Sequence, residues 1–454
     1  MKTLNTFSLI HLACLACALT VLTASAADDP RPLMKDFVGL NGHFQFKPEL
    51  YKQVCRHVRN YHNINWDVKK PGDPITFPMC PNKVNWDTHV YGKWKRHGFE
   101  TDLCAQFGSF GRENKDYATL WKGQDKWCYR YGFEMAKYFG PSGKQLVSSI
   151  EIGNEPGKGF DDGLYQRIFI QMAKGIRAAD PAVKIVTATA RANSADDYSK
   201  SLQETFSSAA IKPLYDVINL HTYAAKPKAP GRSPWDRSYP EDPTLDYLKN
   251  VDDTISWRDK NASGKEIWIT EFGYDSCTPQ AMKSRKGWFK KLNWTGVNDL
   301  QQAQYTVRSL FCFAERDVER AYIYFFNDKD EASVHAASGL TRNFVPKPSF
   351  WAVKHVYETL GDYRFSRVVS KDAGKVFVYE FAHGSKANRR IWVVWSPTGS
   401  GRSQEITLRN LPGAVASVNR MPTTKQPAKA VKWTGGTNTV SLVVSESPTY
   451  LIFK

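Results

Sequence analysis

The sequence predicts an α/β chain, with a (β/α)8 TIM barrel over residues 27–362 and a small all-β sandwich over residues 363–454. Three observations carry this expectation. Between residues 37 and 360, short apolar runs alternate with longer helical stretches, the pattern of βα units around a parallel sheet. Eight such runs are readable, the strand number that closes a barrel. Beyond residue 360 the helical periodicity stops and short apolar runs are separated by Gly and Pro turns, as in a sandwich.

The eight expected barrel strands are residues 37–41, 58–62, 100–106, 149–154, 183–189, 217–220, 267–270 and 321–326. Residues 164–179 and 301–314 repeat apolar side chains at a 3.6-residue period and are expected as helices. Residues 224–243 hold five Pro and one Trp and read as a long loop after the sixth strand. In the last region, runs at 376–381, 391–395, 405–408, 440–444 and 449–453 are expected strands. The turns between them include Gly399-Ser400-Gly401, Leu411-Pro412-Gly413 and Gly435-Gly436.

Bulk properties narrow the function class. The chain has 454 residues, 42% of them hydrophobic, enough for a sizeable core. Lys2, an apolar stretch over 9–22 and the small-residue site Ala24-Ser25-Ala26 read as a signal peptide of residues 1–26, so secretion or a periplasmic location is expected. That stretch is short for a bilayer crossing, and no later segment is apolar enough for a membrane span. Six Cys follow it, at 55, 80, 104, 128, 277 and 312, and an exporting cell is able to oxidise them in any of fifteen pairings. They form no Cys-x-x-Cys or His/Cys cluster, so neither metal nor cofactor is expected. The formal net charge is +17, and residues 363–454 alone carry 14 Lys/Arg against 4 Asp/Glu. These charges are scattered and form no nucleic-acid motif; they suit an acidic polysaccharide or an envelope surface as partner, and equally a plain soluble basic surface.

The chemistry-bearing residues cluster at the C-terminal ends of the expected strands, where barrel enzymes build their sites. The fourth strand runs into Asn154-Glu155-Pro156 and the seventh into Thr270-Glu271-Phe272-Gly273. Two carboxylates facing each other across a barrel mouth suit glycosidic cleavage. One carboxyl protonates the leaving oxygen, while an ionised one traps the cationic sugar.

Both motifs, on these two strands, resemble those of the clan A retaining glycoside hydrolases, and the barrel-plus-sandwich layout is family 39-like, family 30-like or family 5-like. The resemblance implies a retaining β-glycosidase acting on a polysaccharide or oligosaccharide, with endo action expected from the long sixth loop. It implies Glu155 as acid/base, Glu271 as nucleophile and Asn154 as the partner of the sugar 2-hydroxyl. His221-Thr222-Tyr223 matches the clan's His-x-Tyr after strand six, with Tyr223 donating to the nucleophile. Arg59 matches an Arg that keeps the nucleophile ionised, and His43 is expected at the sugar site. The chain departs from the clan at strand eight, where a sugar-stacking Trp is usual and Tyr324-Phe325-Phe326 stands instead. Phe326, Trp66, Trp235, Trp288 and Trp294 are the candidate platforms. A catalytically silent carbohydrate-binding or envelope protein on the same fold is the alternative reading.

Overall fold

The computed structural model describes residues 31–454, apart from 82, 107–116, 158–159, 194, 228–232, 234 and 292. The expected signal segment lies outside the described residues. Residues 31–454 form one compact unit.

Eight parallel strands close a barrel: β1 (Val38–Asn41), β2 (His57–Asn63), β3 (Glu100–Gln106), β4 (Ser149–Ile152), β5 (Lys184–Arg191), β6 (Val217–His221), β7 (Glu266–Phe272) and β8 (Arg320–Ile323). Closure comes from β1 pairing with β8, Gly39 opposite Tyr322, and from β4 pairing with β5. Val186, Val217, Trp268 and Tyr322, from β5 to β8, form a buried apolar cluster of their own. Gly39 is required there, because a Cβ would lie 2.5 Å from the Tyr322 ring.

The longer helices are α1 (Asp125–Phe139), α2 (Asp162–Ala179), α3 (Tyr247–Asn261), α4 (Asp299–Glu315) and α5 (Pro348–Leu360). Three of them start where their sequence favours a start. The Asp161 carboxylate accepts from Leu164 N at the head of α2. Asn298 and Gln301 close a capping box on α4. Pro348 occupies the first turn of α5. On α2 the buried positions Leu164, Tyr165, Ile168, Phe169, Met172 and Ile176 form one inward stripe.

The C-terminal region has a six-stranded sheet and a three-stranded sheet. In chain order the strands are β9 (Tyr363–Lys371), β10 (Phe377–His383), β11 (Arg390–Trp395), β12 (Gln404–Arg409), β13 (Val415–Arg420), β14 (Lys429–Ala430), β15 (Trp433–Gly436), β16 (Thr439–Val444) and β17 (Thr449–Phe453). The large sheet runs β9-β10-β11-β17-β13-β14 and the small one β12-β16-β15. Val378, Trp392, Val394, Val440, Leu442 and Leu451 fill the space between the sheets. The other face of the large sheet joins the barrel core, with Phe311 of α4 against Phe381, Trp395 and Tyr450. Burial on both faces explains why β11 reads as an unbroken apolar run. Strands β9, β13, β14 and β15 lack such a run; their residues are largely half-buried or exposed, so no clean alternation marks them in the sequence.

Cys55, Cys104, Cys128 and Cys312 are buried thiols, and Cys277 is a half-buried one. Among the described residues no helix is long and apolar enough to cross a membrane.

Candidate active site

The site is built at the C-terminal mouth of the barrel, and its foundation is a guanidinium. Arg59 on β2 is fully buried. Its Nε and Nη2 donate to the two Glu151 oxygens at 2.7 and 2.8 Å. Nη1 donates to Glu271 Oε1 and to Asn41 Oδ1, both at 2.8 Å, and Nη2 donates to Asn154 Oδ1 at 2.7 Å. One cation therefore ties β1, β2, β4 and β7 together beneath the cavity. The Cys104 thiol lies 3.3 Å from both Arg59 Nη2 and Glu151 Oε1.

Glu271 is 4% exposed and is surrounded by donors. Besides Arg59, the Tyr61 hydroxyl donates to Oε1 and the Tyr223 hydroxyl donates to Oε2 at 3.0 Å. Burial opposes its ionisation. The charges of His221 and Arg59, with hydrogen bonds from Tyr61 and Arg59, outweigh burial and lower its pKa to about 2. A regular strand that turned Trp268 and Thr270 inward would turn Glu271 outward. The pairing shifts register between Leu220 and His221 on one side and between Ile269 and Phe272 on the other. Such irregularities re-aim side chains beside active sites.

Glu155, three residues past β4, is 28% exposed at its side chain. One Glu155 oxygen and one Glu271 oxygen lie within 4.8 Å of each other and of a His221 ring nitrogen. His221 Nδ1 is 2.8 Å from Glu155 Oε1 and 3.7 Å from Glu271 Oε2. On its other side, Thr270 Oγ1 donates to Asn219 Oδ1 at 2.6 Å, so it accepts from His221 Nε2 at 2.9 Å. That fixes the tautomer and leaves Nδ1 facing Glu155. Burial disfavours the imidazolium, but Glu271 and the hydrogen bond to Glu155 outweigh it and raise the His221 pKa. The three side chains have the make-up of a metal site. Arg59, Tyr61 and Tyr223 already occupy Glu271 with donors, which suits a free ionised carboxylate better than a metal ligand.

His221 is the strongest charge holding the Glu271 pKa down. Replacing it with Ala is therefore expected to raise that pKa and move the acid limb of kcat/KM to higher pH, with an overall loss of about 10²-fold from lost positioning. A pH–rate profile checks this, and an unmoved acid limb would remove His221 from the electrostatics of the pair.

A cavity of about 500 Å³ opens over the two carboxylates. Tyr223 and Trp235 line it, as do Glu155, His221 and Glu271. Other expected residues sit elsewhere. Asn154 is held against Arg59 at the base of the site. His43 packs behind the cavity against Tyr61, Tyr324 and Phe325, and burial lowers its pKa to about 4. Phe326 is no sugar platform: β8 ends at Ile323, and Phe326 turns fully into the core to stack on Tyr51 at 3.6 Å. Trp66 likewise packs on Phe44 and Trp86 instead of lining the cavity. Trp294 is fully buried, and Trp288 is exposed outside the cavity.

Tyr61, Arg191, Tyr198, Arg237, Tyr324 and His335 line the cavity without having been singled out from the sequence. Tyr61 had a signal: it follows Arg59 by two on the same strand and so shares its face. Tyr324 is the aromatic that the end of strand eight supplies, two residues before Phe326. His335 and Arg237 lie in loops, where no periodicity points inward.

No protein-family model and no curated protein matches the chain. Solved structures do. A family 39 glycoside hydrolase from Bacteroides cellulosilyticus WH2 is similar at 15% identity and a TM-score of 0.64, over 93% of this chain and 81% of that one. A glucosidase from Croceicoccus marinus is similar at 11% and 0.61, over 94% and 97%. A GH30 endoxylanase from Clostridium papyrosolvens C71 is similar at 12% and 0.53, over 94% and 98%. At these identities the likeness is one of architecture, and the chain has the barrel-and-sandwich fold of these glycoside hydrolases.

Proposed function

We propose that the protein is a retaining β-glycoside hydrolase that cuts a polysaccharide internally, after export directed by residues 1–26. The observation that carries this is the carboxylate pair. Oxygens of Glu155 and Glu271 approach within 4.8 Å, in keeping with the roughly 5–5.5 Å of direct-attack enzymes and short of the roughly 6.5–9.5 Å gap of inverting ones. The two environments also differ as their roles demand. Glu271 is ringed by donors that keep it ionised, whereas Glu155 is more open and faces a histidine.

In the first step Glu155 gives its proton to the glycosidic oxygen while Glu271 attacks the anomeric carbon. The leaving sugar departs as an alcohol and a glycosyl ester forms on Glu271. In the second step Glu155 takes a proton from water, which displaces Glu271 and returns it as a carboxylate. Endo action is supported by a second cavity, of about 790 Å³, which shares Arg237 with the first and continues to Thr398 and Gly399 of the sandwich. Two adjoining cavities suit a chain longer than one sugar.

Mass spectrometry tests the proposal. The exported protein is expected to begin near Ala27. Incubation with an activated 2-fluoro-glycoside is expected to add one glycosyl unit to the peptide carrying Glu271. A label on any other residue, or hydrolysis with inversion by NMR, would overturn the retaining assignment.

A further inference from the structure

The catalytic pair leaves one cation of the cavity unused. Arg59 and His221 balance Glu271, and Arg191 pairs with Asp196 at 2.9 Å. Arg237 has no such partner. It lines the cavity, is 6% exposed, and forms neither an ion pair nor a side-chain hydrogen bond among the described residues.

Its position is built. Ala225 and Arg237 pair as an antiparallel bridge, with Lys226 N donating to Asp236 O at 2.8 Å and Ser238 N to Ala224 O at 3.0 Å. The guanidinium lies over the Tyr223 ring, Cζ 5.2 Å from the centroid. The hydroxyl of that same tyrosine touches Glu271, so Tyr223 spans the gap between Arg237 and the nucleophile. His335 stands edge-on to the Tyr223 ring at 4.4 Å, and its Nδ1 is buried without a partner. Desolvating a guanidinium is costly, and the face of one tyrosine offsets only part of that cost. A planar anion entering the cavity would offset the rest, because a guanidinium presents paired donors to a carboxylate or sulfate.

We infer that Arg237 is the anion-recognition residue of the sugar cavity, so that the substrate is a β-glycan whose units carry a carboxylate or a sulfate ester. This inference rests on the glycosidase reading for its location and deepens it to a substrate class.

The test is equilibrium binding of matched oligosaccharides to the full chain: gluco-, manno- and galacto-series, each neutral, oxidised to the uronate, or sulfated on the primary hydroxyl. At least one anionic member is expected to bind about tenfold to hundredfold more tightly than its neutral partner. Arg237→Gln is expected to bring that ratio close to one, while Arg237→Lys keeps part of it. Melting temperatures of both variants separate a lost anion contact from a lost fold. A preference for uronate or for sulfate identifies the anion. The inference is wrong if no anionic member outbinds its neutral partner, or if the ratio survives in Arg237→Gln. Hydrolysis of the same panel separates the two readings. Cleavage without anionic preference keeps the glycosidase and overturns the role of Arg237. Anionic preference without cleavage of any member does the reverse.

Discussion

Glu271→Gln is expected to lower kcat/KM by about five to six orders of magnitude, the scale of losing a covalent nucleophile. The amide keeps the shape and accepts some of the same hydrogen bonds, but it offers no charge to the anomeric carbon. Glu155→Gln is expected to cost less, about 10²–10⁴-fold, the scale of one general acid/base. Its loss should shrink further on aryl glycosides whose leaving group departs unaided. Glu271→Ala opens a space beside the anomeric carbon, and added azide is expected to restore turnover with inverted product. Steady-state kinetics and product NMR read all three. More than about one per cent residual activity in Glu271→Gln would move the nucleophile elsewhere.

The second large effect falls on stability as well as catalysis. Arg59 is fully buried between Glu151, fully buried itself, and the nearly buried Glu271. Arg59→Met removes the shared counter-charge and strands both carboxylates, so a loss of about 3–5 kcal/mol is expected. It also removes a charge and a hydrogen bond that lower the Glu271 pKa, so whatever activity remains should have its acid limb at higher pH. Arg59→Lys keeps the charge but cannot bridge two carboxylates and two amides at once, and should fall between the two. Urea denaturation with a pH–rate profile checks this pair. Wild-type stability in Arg59→Met would show that the carboxylates are solvated after all.

Much of this was legible in the sequence, for identifiable reasons. The barrel strands are largely buried on both faces and most stand out as apolar runs, β2 being the exception with its polar His57, Arg59, Asn60 and His62. Glu155, Glu271, His221 and Tyr223 sit at or just past strand ends, and Arg59 lies within β2, so position in the fold gives all five meaning. The structure assembles these five within one cluster of hydrogen bonds and ion pairs. What could not be read was direction. Phe326 is as aromatic as Tyr324, but the strand stops at Ile323 and the chain turns Phe326 into the core. Glu271 faces inward through a register shift that no alternation pattern encodes. Arg237 and His335 meet across Tyr223 from loops almost a hundred positions apart, and loop residues carry no period to announce such a meeting.

The two-sided sheet has a consequence for how such a protein diversifies. Arg308 of α4 is bound to Glu241, in the loop that also carries Trp235 and Arg237. Glu241 in turn accepts from Trp395 Nε1 of β11 at 2.6 Å, and Arg308 donates to the Thr398 carbonyl at 2.9 Å. This wall of the cavity is therefore anchored on the C-terminal sheet. A lineage that exchanged this sandwich for another, as if it were a detachable module, would disturb its own substrate preference in the same event. Barrel and sandwich are joined here through the loop that lines the cavity.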